Sequence, residues 1–220
     1  STHITRLMTF IQRLGWNGYA INYRSCSGVM NDTFYTYNAG KTEDLEQLIW
    51  YVYEKNPHRP IFLVGYSFGA NILANCISRP KEKLPIIQAS ALISGNYRIE
   101  PGVLAMDLGF SRIYQESFVS SLIEKYKTKQ VLYPGAVDYD AFFQAKTLYE
   151  IDEKITAPYF NFSDASSFYK HISSATHLVK INHPTFMLNS LDDPLSPPEC
   201  FPKEDELSSS FLNFFSTEKG

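Results

Sequence analysis

The segment from Ile61 to Ser78 constrains the fold more than any other part of the chain. It begins with the continuous apolar run IFLV and passes through GYSFG into residues 70–78, where apolar side chains recur at helical spacing before Pro80. A short apolar run bounded by turn residues is typical of a buried strand, and the period that follows indicates an amphipathic helix. The pattern predicts a strand, a sharp turn and a helix in direct succession.

The same alternation continues along the chain. Helical spacing of apolar residues is found in 2–14 and 41–54, and short strand-like apolar runs lie at 19–23, 86–93, 184–189 and 211–215. Strands that alternate with helices favour βαβ units, which build a mostly parallel sheet with helices on both faces. A chain of 220 residues, 44% of them hydrophobic, is long enough for one such core. We therefore predict an α/β fold in a single domain over residues 1–220.

Residues 95–176 interrupt this alternation, and we call them the lid segment. Aromatic and polar residues mix there without a strand pattern, while 118–126 and 141–151 have helical periodicity. The segment leaves the predicted sheet after the strand beside GYSFG, so we expect a helical lid that caps a site there. Its many phenylalanines and tyrosines favour acyl chains over sugars or charged substrates, because burying a methylene group contributes about 0.8 kcal/mol.

Composition excludes several classes of protein. With 20 Lys and Arg against 23 Asp and Glu, the chain lacks the basic surface expected of a nucleic-acid binder. No apolar run approaches the roughly 18 residues of a membrane span. The three cysteines, Cys26, Cys76 and Cys200, fit neither a disulfide framework nor a zinc site, which favours a reduced, cytoplasmic environment. We expect no cofactor, because the sequence has no phosphate loop, dinucleotide fingerprint or metal-ligand cluster.

Residues Gly65 to Gly69 fit the G-x-S-x-G motif in the strand-turn-helix context that this motif requires. The turn must be sharp enough for the serine hydroxyl to project above the sheet, and side chains at the glycines would collide with backbone. Ser67 is therefore the candidate nucleophile. The Phe68 N–H, at the start of the helix, is placed to receive an oxyanion. The alternative is a βα turn that contains Gly and Ser by chance.

A serine nucleophile needs a base, and the base needs an orienting carboxylate. Asp192 and Asp193 follow the predicted strand 184–189, at the edge where open α/β sheets hold their sites. Asp193 is our first candidate for the orienting acid because it precedes Pro197 by four residues, the usual offset in such loops. Asp192 is the second. The alternative is an Asx turn ahead of Pro194.

The base is not evident in the sequence. A site of this kind has the order serine, acid, histidine, yet all five histidines precede the aspartate pair. His58 and His183 each come just before a predicted strand, so both are expected at the sheet edge opposite Ser67. A solvated or structural role is favoured for all five, which are His3, His58, His171, His177 and His183.

These motifs resemble the α/β-hydrolase superfamily, and within it the branch of bacterial YheT-like hydrolases and eukaryotic α/β-hydrolase-domain esterases and phospholipases. Ser25 stands where that branch usually has glycine. Six ordered signals carry the resemblance: Asn22 to Gly28 (NYRSCSG), Gly40 to Leu45 (GKTEDL), Gly65 to Asn71 (GYSFGAN), Tyr149 to Asp152 (YEID), Asp164 to Tyr169 (DASSFY) and Asp192 to Pro194 (DDP). The resemblance implies the α/β-hydrolase fold with a helical lid insertion.

The resemblance also bears on the missing base. In that branch the final strand leads into a loop reading roughly G-G-H, and a His-Gly loop before the first helix supplies a second oxyanion donor. Here 211–215 and the residues after it look like that last strand and the start of the loop. The resemblance thus implies an incomplete version of a longer enzyme, which lacks the first strands and the last loop and helix. A catalytically dead descendant is the alternative.

We expect a serine carboxylic-ester hydrolase that acts on short- to medium-chain acyl esters, including monoacylglycerols or phospholipids. The 220-residue chain itself is expected to be nearly inactive without its histidine, and a longer parent could associate with a membrane. One alternative is a non-catalytic binding or scaffold protein with the same fold. Another is a cysteine hydrolase using Cys26 or Cys76, which is disfavoured because neither has an adjacent histidine.

Overall fold

A four-stranded parallel sheet organises the computed structural model, which describes residues 2–220. Its strands lie side by side in chain order and are β1 (Ile61–Tyr66), β2 (Ile87–Ile93), β3 (Thr185–Ser190) and β4 (Leu212–Thr217). Because parallel strands are joined by crossovers, all four carboxyl ends lie at the same edge. The predicted parallel sheet is confirmed, and the candidate serine and both candidate acids follow strands that end at that edge.

Nine α-helices surround the sheet over the described residues. They are α1 (Thr2–Arg13), α2 (Glu43–Lys55), α3 (Phe68–Ser78), α4 (Ile99–Ala105), α5 (Ser111–Leu132), α6 (Tyr139–Gln144), α7 (Leu148–Ile151), α8 (Ala157–Tyr159) and α9 (Ala165–Ile172). A π-helical turn spans Asp152–Thr156, and 3-10 turns span Ala175–Lys180, Pro198–Cys200 and Glu204–Leu207. Residues 95–176 hold α4 to α9, so this part of the chain is helical, as its periodicity predicts.

The main core lies between the sheet and α3. Leu73 and Ile77 of α3 pack on Leu92 of β2 and Met187 of β3, all nearly or fully buried. Helix α2 covers the same face through Ile49. Nine consecutive residues of α3 are buried, which explains why its sequence is apolar almost all round.

The opposite face of the sheet is more open over the described residues. Helix α1 is amphipathic but buries none of its residues. It packs beside Gly18 through Met8, and only Trp16 stacks on the sheet, with its ring 5.2 Å from that of Phe62. The exposed side chains of this face include Phe62, Val64, Tyr66, Phe186 and Phe215.

The predicted strand at 19–23 is also wrong. Residues 16–23 have no regular secondary structure, and Tyr19 is exposed rather than buried. An extended segment becomes a strand only when its backbone N–H and C=O groups pair with a neighbour. No segment within residues 2–220 pairs with 19–23, so its apolar, aromatic composition alone does not produce a strand.

The lid segment itself contains a carboxylate, Asp152, that is largely removed from solvent. The Tyr169 hydroxyl donates to Asp152 Oδ2 at 2.7 Å, and the Thr156 side chain also hydrogen-bonds this carboxylate. No cation pairs with it in the described chain. Burial therefore raises the pKa of Asp152 to about 6, although both hydroxyl donors lower it.

We expect Asp152→Asn to stabilise the protein at pH 7 by about 2 kcal/mol and to change its stability little at pH 4. The pKa of Asp152 is higher in the folded protein, at about 6, than in the unfolded chain, at about 3.9. The folded state therefore binds this proton more tightly than the unfolded state. The free energy of unfolding falls as the pH rises from about 4 through 6. Urea unfolding between pH 4 and 8 measures this, with exposed Asp140→Asn as the control. Equal pH slopes for wild type and Asp152→Asn would contradict the assignment.

Candidate active site

Ser67 forms a strained corner between β1 and α3. Its backbone has φ 53° and ψ −127°, a conformation that non-glycine residues rarely adopt. The Ser67 N–H donates to the Ile93 carbonyl of β2 at 2.8 Å, and its own carbonyl accepts from the Ala70 N–H at 2.9 Å. These bonds hold the corner, and the exposed Ser67 hydroxyl makes no hydrogen bond within residues 2–220.

The two glycines of the motif have different roles. A Cβ at Gly65 would lie 2.8 Å from both the Ala70 Cα and the Gly69 carbonyl oxygen, so only glycine fits there. A Cβ at Gly69 would meet nothing closer than the Tyr23 hydroxyl, at 3.6 Å. The expectation that both glycines avoid a backbone collision is therefore correct for Gly65 and wrong for Gly69.

The start of α3 presents one unpaired backbone N–H beside Ser67. Phe68 is the first residue of the helix, and its N–H forms no hydrogen bond within the described chain. The first N–H groups of a helix lack internal partners and carry partial positive charge. The Phe68 N–H next to the exposed Ser67 can therefore stabilise negative charge that develops on a bound carbonyl oxygen.

Two asparagines that the sequence reasoning missed fix the position of α3. The Asn71 amide donates to the Ile172 carbonyl at 2.9 Å, and its oxygen accepts from the Ser174 N–H and hydroxyl. Asn75 donates to the Ile172 and Ala39 carbonyls at 2.7 and 2.9 Å. Both side chains are fully buried. Two asparagines four residues apart on an otherwise apolar helix are the signal that could have identified this anchor.

Aromatic rings line the approach to the serine corner. Tyr23 and Tyr37 stack with their centroids 5.0 Å apart, and Tyr37 contacts the Phe68 ring edge-on at 6.1 Å. Burial raises the pKa of both tyrosines to about 12, so both hydroxyls stay protonated near neutral pH. The wall beside Ser67 is therefore uncharged and largely apolar.

The NYRSCSG and GKTED segments support this wall through their own hydrogen bonds. The Arg24 guanidinium binds Asp44 through two hydrogen bonds of 2.6 Å, which holds the pKa of Asp44 below its usual value. Thr42 donates to Glu46 at 2.6 Å. Ser25 has φ 60°, in the left-handed region, which explains why glycine suits its position in similar sequences.

The two candidate acids face different surroundings. Asp193 is half-buried, and its Oδ1 accepts from the Leu195 N–H at 2.9 Å, which is the Asx turn foreseen as the alternative. Asp192 is exposed and accepts from the Ser190 hydroxyl and, at 3.0 Å, from the Gly220 N–H. The Ser190 bond lowers the pKa of Asp192. Both carboxylates are therefore held by fixed donors.

The sheet register places the serine and the acids at one edge, two strands apart. Tyr66 pairs with Ile93, and Ile93 pairs with Leu188, so β1 ends level with Leu188, two residues before the end of β3. Adjacent strands are about 4.8 Å apart, which separates β1 from β3 by about 10 Å. Ser67 and the two aspartates therefore follow strands that end at the same edge, with β2 between them.

The histidines lie elsewhere, as predicted for His58 and His183. His58 precedes β1 at the opposite edge, and the buried His183 ring lies 2.8 Å from the Ser90 hydroxyl. His171 and His177 contact Arg79, which ends α3 about 16 Å from Ser67 along the helix. None of the five histidines, including exposed His3, adjoins the Ser67 hydroxyl.

The cysteines give no alternative nucleophile with a base. Burial raises the pKa of the Cys76 thiol, which is fully inaccessible on α3. Cys26 is exposed, but its contacts are the Lys125 ammonium at 3.7 Å and the Tyr37 hydroxyl.

Residues 2–220 show neither a metal-binding cluster nor a membrane-spanning helix. There, no three His, Cys, Asp or Glu side chains are grouped so as to hold a metal ion. Nor does any of the described helices combine the length and apolarity required to span a membrane.

The glycine geometry makes a matched prediction. We expect Gly65→Ala to destabilise the protein by about 3 kcal/mol or to prevent folding, because its Cβ would overlap backbone atoms that cannot move separately. Gly69→Ala has space and lies in a helix, so it should change stability by less than about 1 kcal/mol. Denaturant unfolding of both variants measures the difference, and equal losses would contradict the described corner.

Relatives of known sequence match most of this chain. The Escherichia coli protein YheT is 30% identical over 203 residues, which are 91% of this chain and 59% of YheT. Human phospholipase ABHD3 is 27% identical over 206 residues, covering 92% of this chain and 50% of ABHD3. The chain thus spans between half and three-fifths of the length of these relatives.

Solved structures agree with the fold. The Pyrococcus furiosus esterase Pf2001 matches 96% of this chain and 64% of its own, with a TM-score of 0.55 and 15% identity. The monoacylglycerol lipase of Paleococcus ferrophilus matches 99% of this chain and 79% of its own, with a TM-score of 0.50 and 14% identity.

The pattern of the family described as "Serine aminopeptidase, S33" matches residues 34–201, which include the serine corner, the helical insertion and the acid pair. The chain therefore belongs to this family of α/β hydrolases, of the esterase and lipase type.

Proposed function

We propose that this chain carries the nucleophile and acid of a serine carboxylic-ester hydrolase. The observation that carries the proposal is the exposed Ser67 hydroxyl on a strained strand-helix corner, beside the unpaired Phe68 N–H. In such a site the serine oxygen attacks the ester carbonyl, and the N–H binds the resulting oxyanion. The alcohol leaves, and water then releases the acid from the acyl-enzyme.

Asp193 is the proposed orienting acid, with Asp192 as the second candidate. One Asp193 oxygen is fixed by the Leu195 N–H, while Oδ2 has no hydrogen-bond partner in the described chain and is free to hold an imidazole. Asp192 is the more exposed of the two, so water competes more strongly for its carboxylate. A half-buried acid gives the better-defined orientation.

The proton-transferring base is not adjacent to Ser67 in the described chain. We therefore expect the 220-residue polypeptide alone to be nearly inactive. Sites that lack a member of the triad accelerate hydrolysis by a factor of only about 10³ to 10⁴ over the reaction in water. A site with one backbone oxyanion donor instead of two would have a rate lower by a further factor of about 10² to 10³. The same residues would act in a protein that places a histidine between β1 and β3.

The proposed substrates are esters of short- to medium-chain fatty acids, including monoacylglycerols or phospholipids. The wall beside Ser67 is aromatic and uncharged, which favours an acyl chain over a charged group. Relatives support this class: ABHD3 is named a phospholipase, and one similar structure is a monoacylglycerol lipase. We expect the lid segment to cap this site.

Free imidazole should restore Ser67-dependent ester hydrolysis to the chain. The Ser67 hydroxyl is exposed, so a small base can approach it from solution. We expect hydrolysis of p-nitrophenyl butyrate to rise at least tenfold above the rate of imidazole in buffer. Ser67→Ala in the same imidazole concentration is the control, because imidazole itself cleaves such esters.

Equal rates for wild type and Ser67→Ala would contradict the proposed enzyme. They would favour the second candidate, a non-catalytic binding protein of this fold, which the lack of a base beside Ser67 supports. A serine-directed fluorophosphonate distinguishes the two independently, since labelling that Ser67→Ala abolishes indicates a reactive nucleophile.

The two aspartates form a matched pair for a further test. In the imidazole assay we expect Asp193→Asn to lower the Ser67-dependent rate at least tenfold, because the amide no longer orients or stabilises the imidazolium. Asp192→Asn should stay within threefold of wild type. The reverse ranking would assign the role to Asp192.

A further inference from the structure

A cluster of basic side chains lies at the end of α3 that is farther from Ser67. Arg79 directly follows the helix, and its Nη1 atom lies 3.2 Å from the Nε2 atom of His177. Its Nη2 atom donates to the main-chain carbonyl of His171 at 2.8 Å. Lys180, in the same 3-10 turn as His177, adds a further positive charge. None of these side chains takes part in the proposed ester hydrolysis.

This cluster has no carboxylate partner within residues 2–220. Arg79 forms no ion pair there, and burial lowers the pKa of its guanidinium. Residues 165–191, which contain both histidines and Lys180, include no Asp or Glu. A half-buried cation usually pairs with an anion, because removing an unpaired charge from water costs free energy. The cluster therefore has uncompensated positive charge.

Helix ends explain only part of this arrangement. The last carbonyl groups of a helix attract cations, and one Arg79 N–H binds such a carbonyl in the last turn of α9. A guanidinium has five N–H donors and no acceptor. Two of them form the contacts with His171 and His177, and the other three have no acceptor in the described chain.

The histidine rings add further donors. Because a guanidinium only donates, the His177 Nε2 atom must accept, so this ring is neutral and has its proton on Nδ1. That N–H has no partner within residues 2–220, and the His171 ring forms no hydrogen bond there either. The His171 ring instead contacts the ring of Phe162, with their centroids 5.1 Å apart. The cluster is thus rich in donors and lacks acceptors.

We infer that Arg79, His171 and His177 form a binding site for a phosphate group. Phosphate oxygens accept hydrogen bonds in several directions, and a guanidinium can bind two of them at once. A phosphomonoester also carries about −1.5 to −2 charge at pH 7, which complements the positive charge of the cluster. Free phosphate and the headgroup of phosphatidic acid share this chemistry. The site lies about 16 Å from Ser67 along α3, so it is separate from the proposed hydrolytic site.

The other charged groups near this cluster do not supply the missing anion. Lys81 pairs with Glu43 of α2, and the Glu46 carboxylate accepts from the Thr42 hydroxyl and the Lys81 N–H. Glu82 is exposed and does not shift the pKa of either histidine. The remaining charged neighbours along the chain are basic, namely Lys83 and Lys170.

Calorimetric titration of the full chain with inorganic phosphate tests the site. We expect Arg79→Gln to weaken phosphate binding at least about tenfold, because it removes charge-assisted hydrogen bonds. Arg59→Gln is the matched control, since the exposed Arg59 side chain forms no ion pair or hydrogen bond within residues 2–220. It should stay within about twofold, because salt screens distant exposed charges. Ser67→Ala should bind phosphate like wild type, so the result is independent of the proposed hydrolase.

Sulfate binding should be stronger at pH 6 than at pH 8. Burial and Arg79 lower the pKa of His171, and burial, Arg79 and Lys180 lower the pKa of His177, so both rings are neutral near pH 7 without a ligand. A bound dianion favours the imidazolium form and raises both pKa values, so binding takes up protons. Sulfate is the probe here because its charge is constant over this range, whereas phosphate is partly protonated near pH 6.

Vesicles distinguish the two sources of phosphate. Binding to phosphatidylcholine vesicles only when they contain phosphatidic acid, together with its loss in Arg79→Gln, would assign the site to a lipid headgroup. Phosphate binding without vesicle binding would assign it to free phosphate.

Equal losses in Arg79→Gln and Arg59→Gln would overturn the inference, and so would the absence of phosphate and sulfate binding to wild type. If Arg79→Gln does not fold by circular dichroism, proton NMR of the wild type replaces it. The ring resonances of His171 and His177 should then shift on addition of sulfate at constant ionic strength, while those of exposed His58 stay in place. Uniform or absent shifts would contradict the site.

Discussion

The close contact between Gly65 and the backbone of Ala70 is the constraint on which the rest of the site depends. The chain reverses direction within one residue, Ser67, because β1 and α3 touch at this point. Ser67 then has a positive φ. The same contact sets the first free N–H of α3 beside the serine hydroxyl. The proposed nucleophile and the proposed oxyanion donor thus depend on the same close contact. The strain is sustained by the burial of α3 and by the Asn71 and Asn75 hydrogen bonds.

Most of the motif residues outside GYSFG hold this corner in place rather than act on a substrate. Arg24 and Asp44 connect two segments 20 residues apart, and Asn71 joins the serine helix to the chain where it returns from the lid segment. Such contacts link distant parts of the sequence around one turn. This explains why short motifs scattered over the chain identify a family of α/β hydrolases although few of them contain reacting groups.

The features that could be predicted from the sequence are those that depend on interactions between residues close together in the chain. Local pattern or chain order is enough to predict the strand-turn-helix at 61–78, the parallel sheet, the helical lid segment and the absence of a histidine beside Ser67. The strand expected at 19–23 was wrong because a strand depends on a long-range partner, and no described segment pairs with these residues. The Asn71 and Asn75 anchor went unrecognised because its acceptors lie about 100 residues away. The choice between Asp192 and Asp193 stays a prediction.

The open face of the sheet affects how this protein would behave under common folding probes. Phe62, Val64, Phe186 and Phe215 form an apolar surface on a folded, parallel sheet. Dyes such as anilinonaphthalene sulfonate bind to such surfaces and are normally taken to report a molten globule. For this chain a bright dye signal at neutral pH would be a property of the native sheet, and near-ultraviolet dichroism would be the better indicator of fixed tertiary packing.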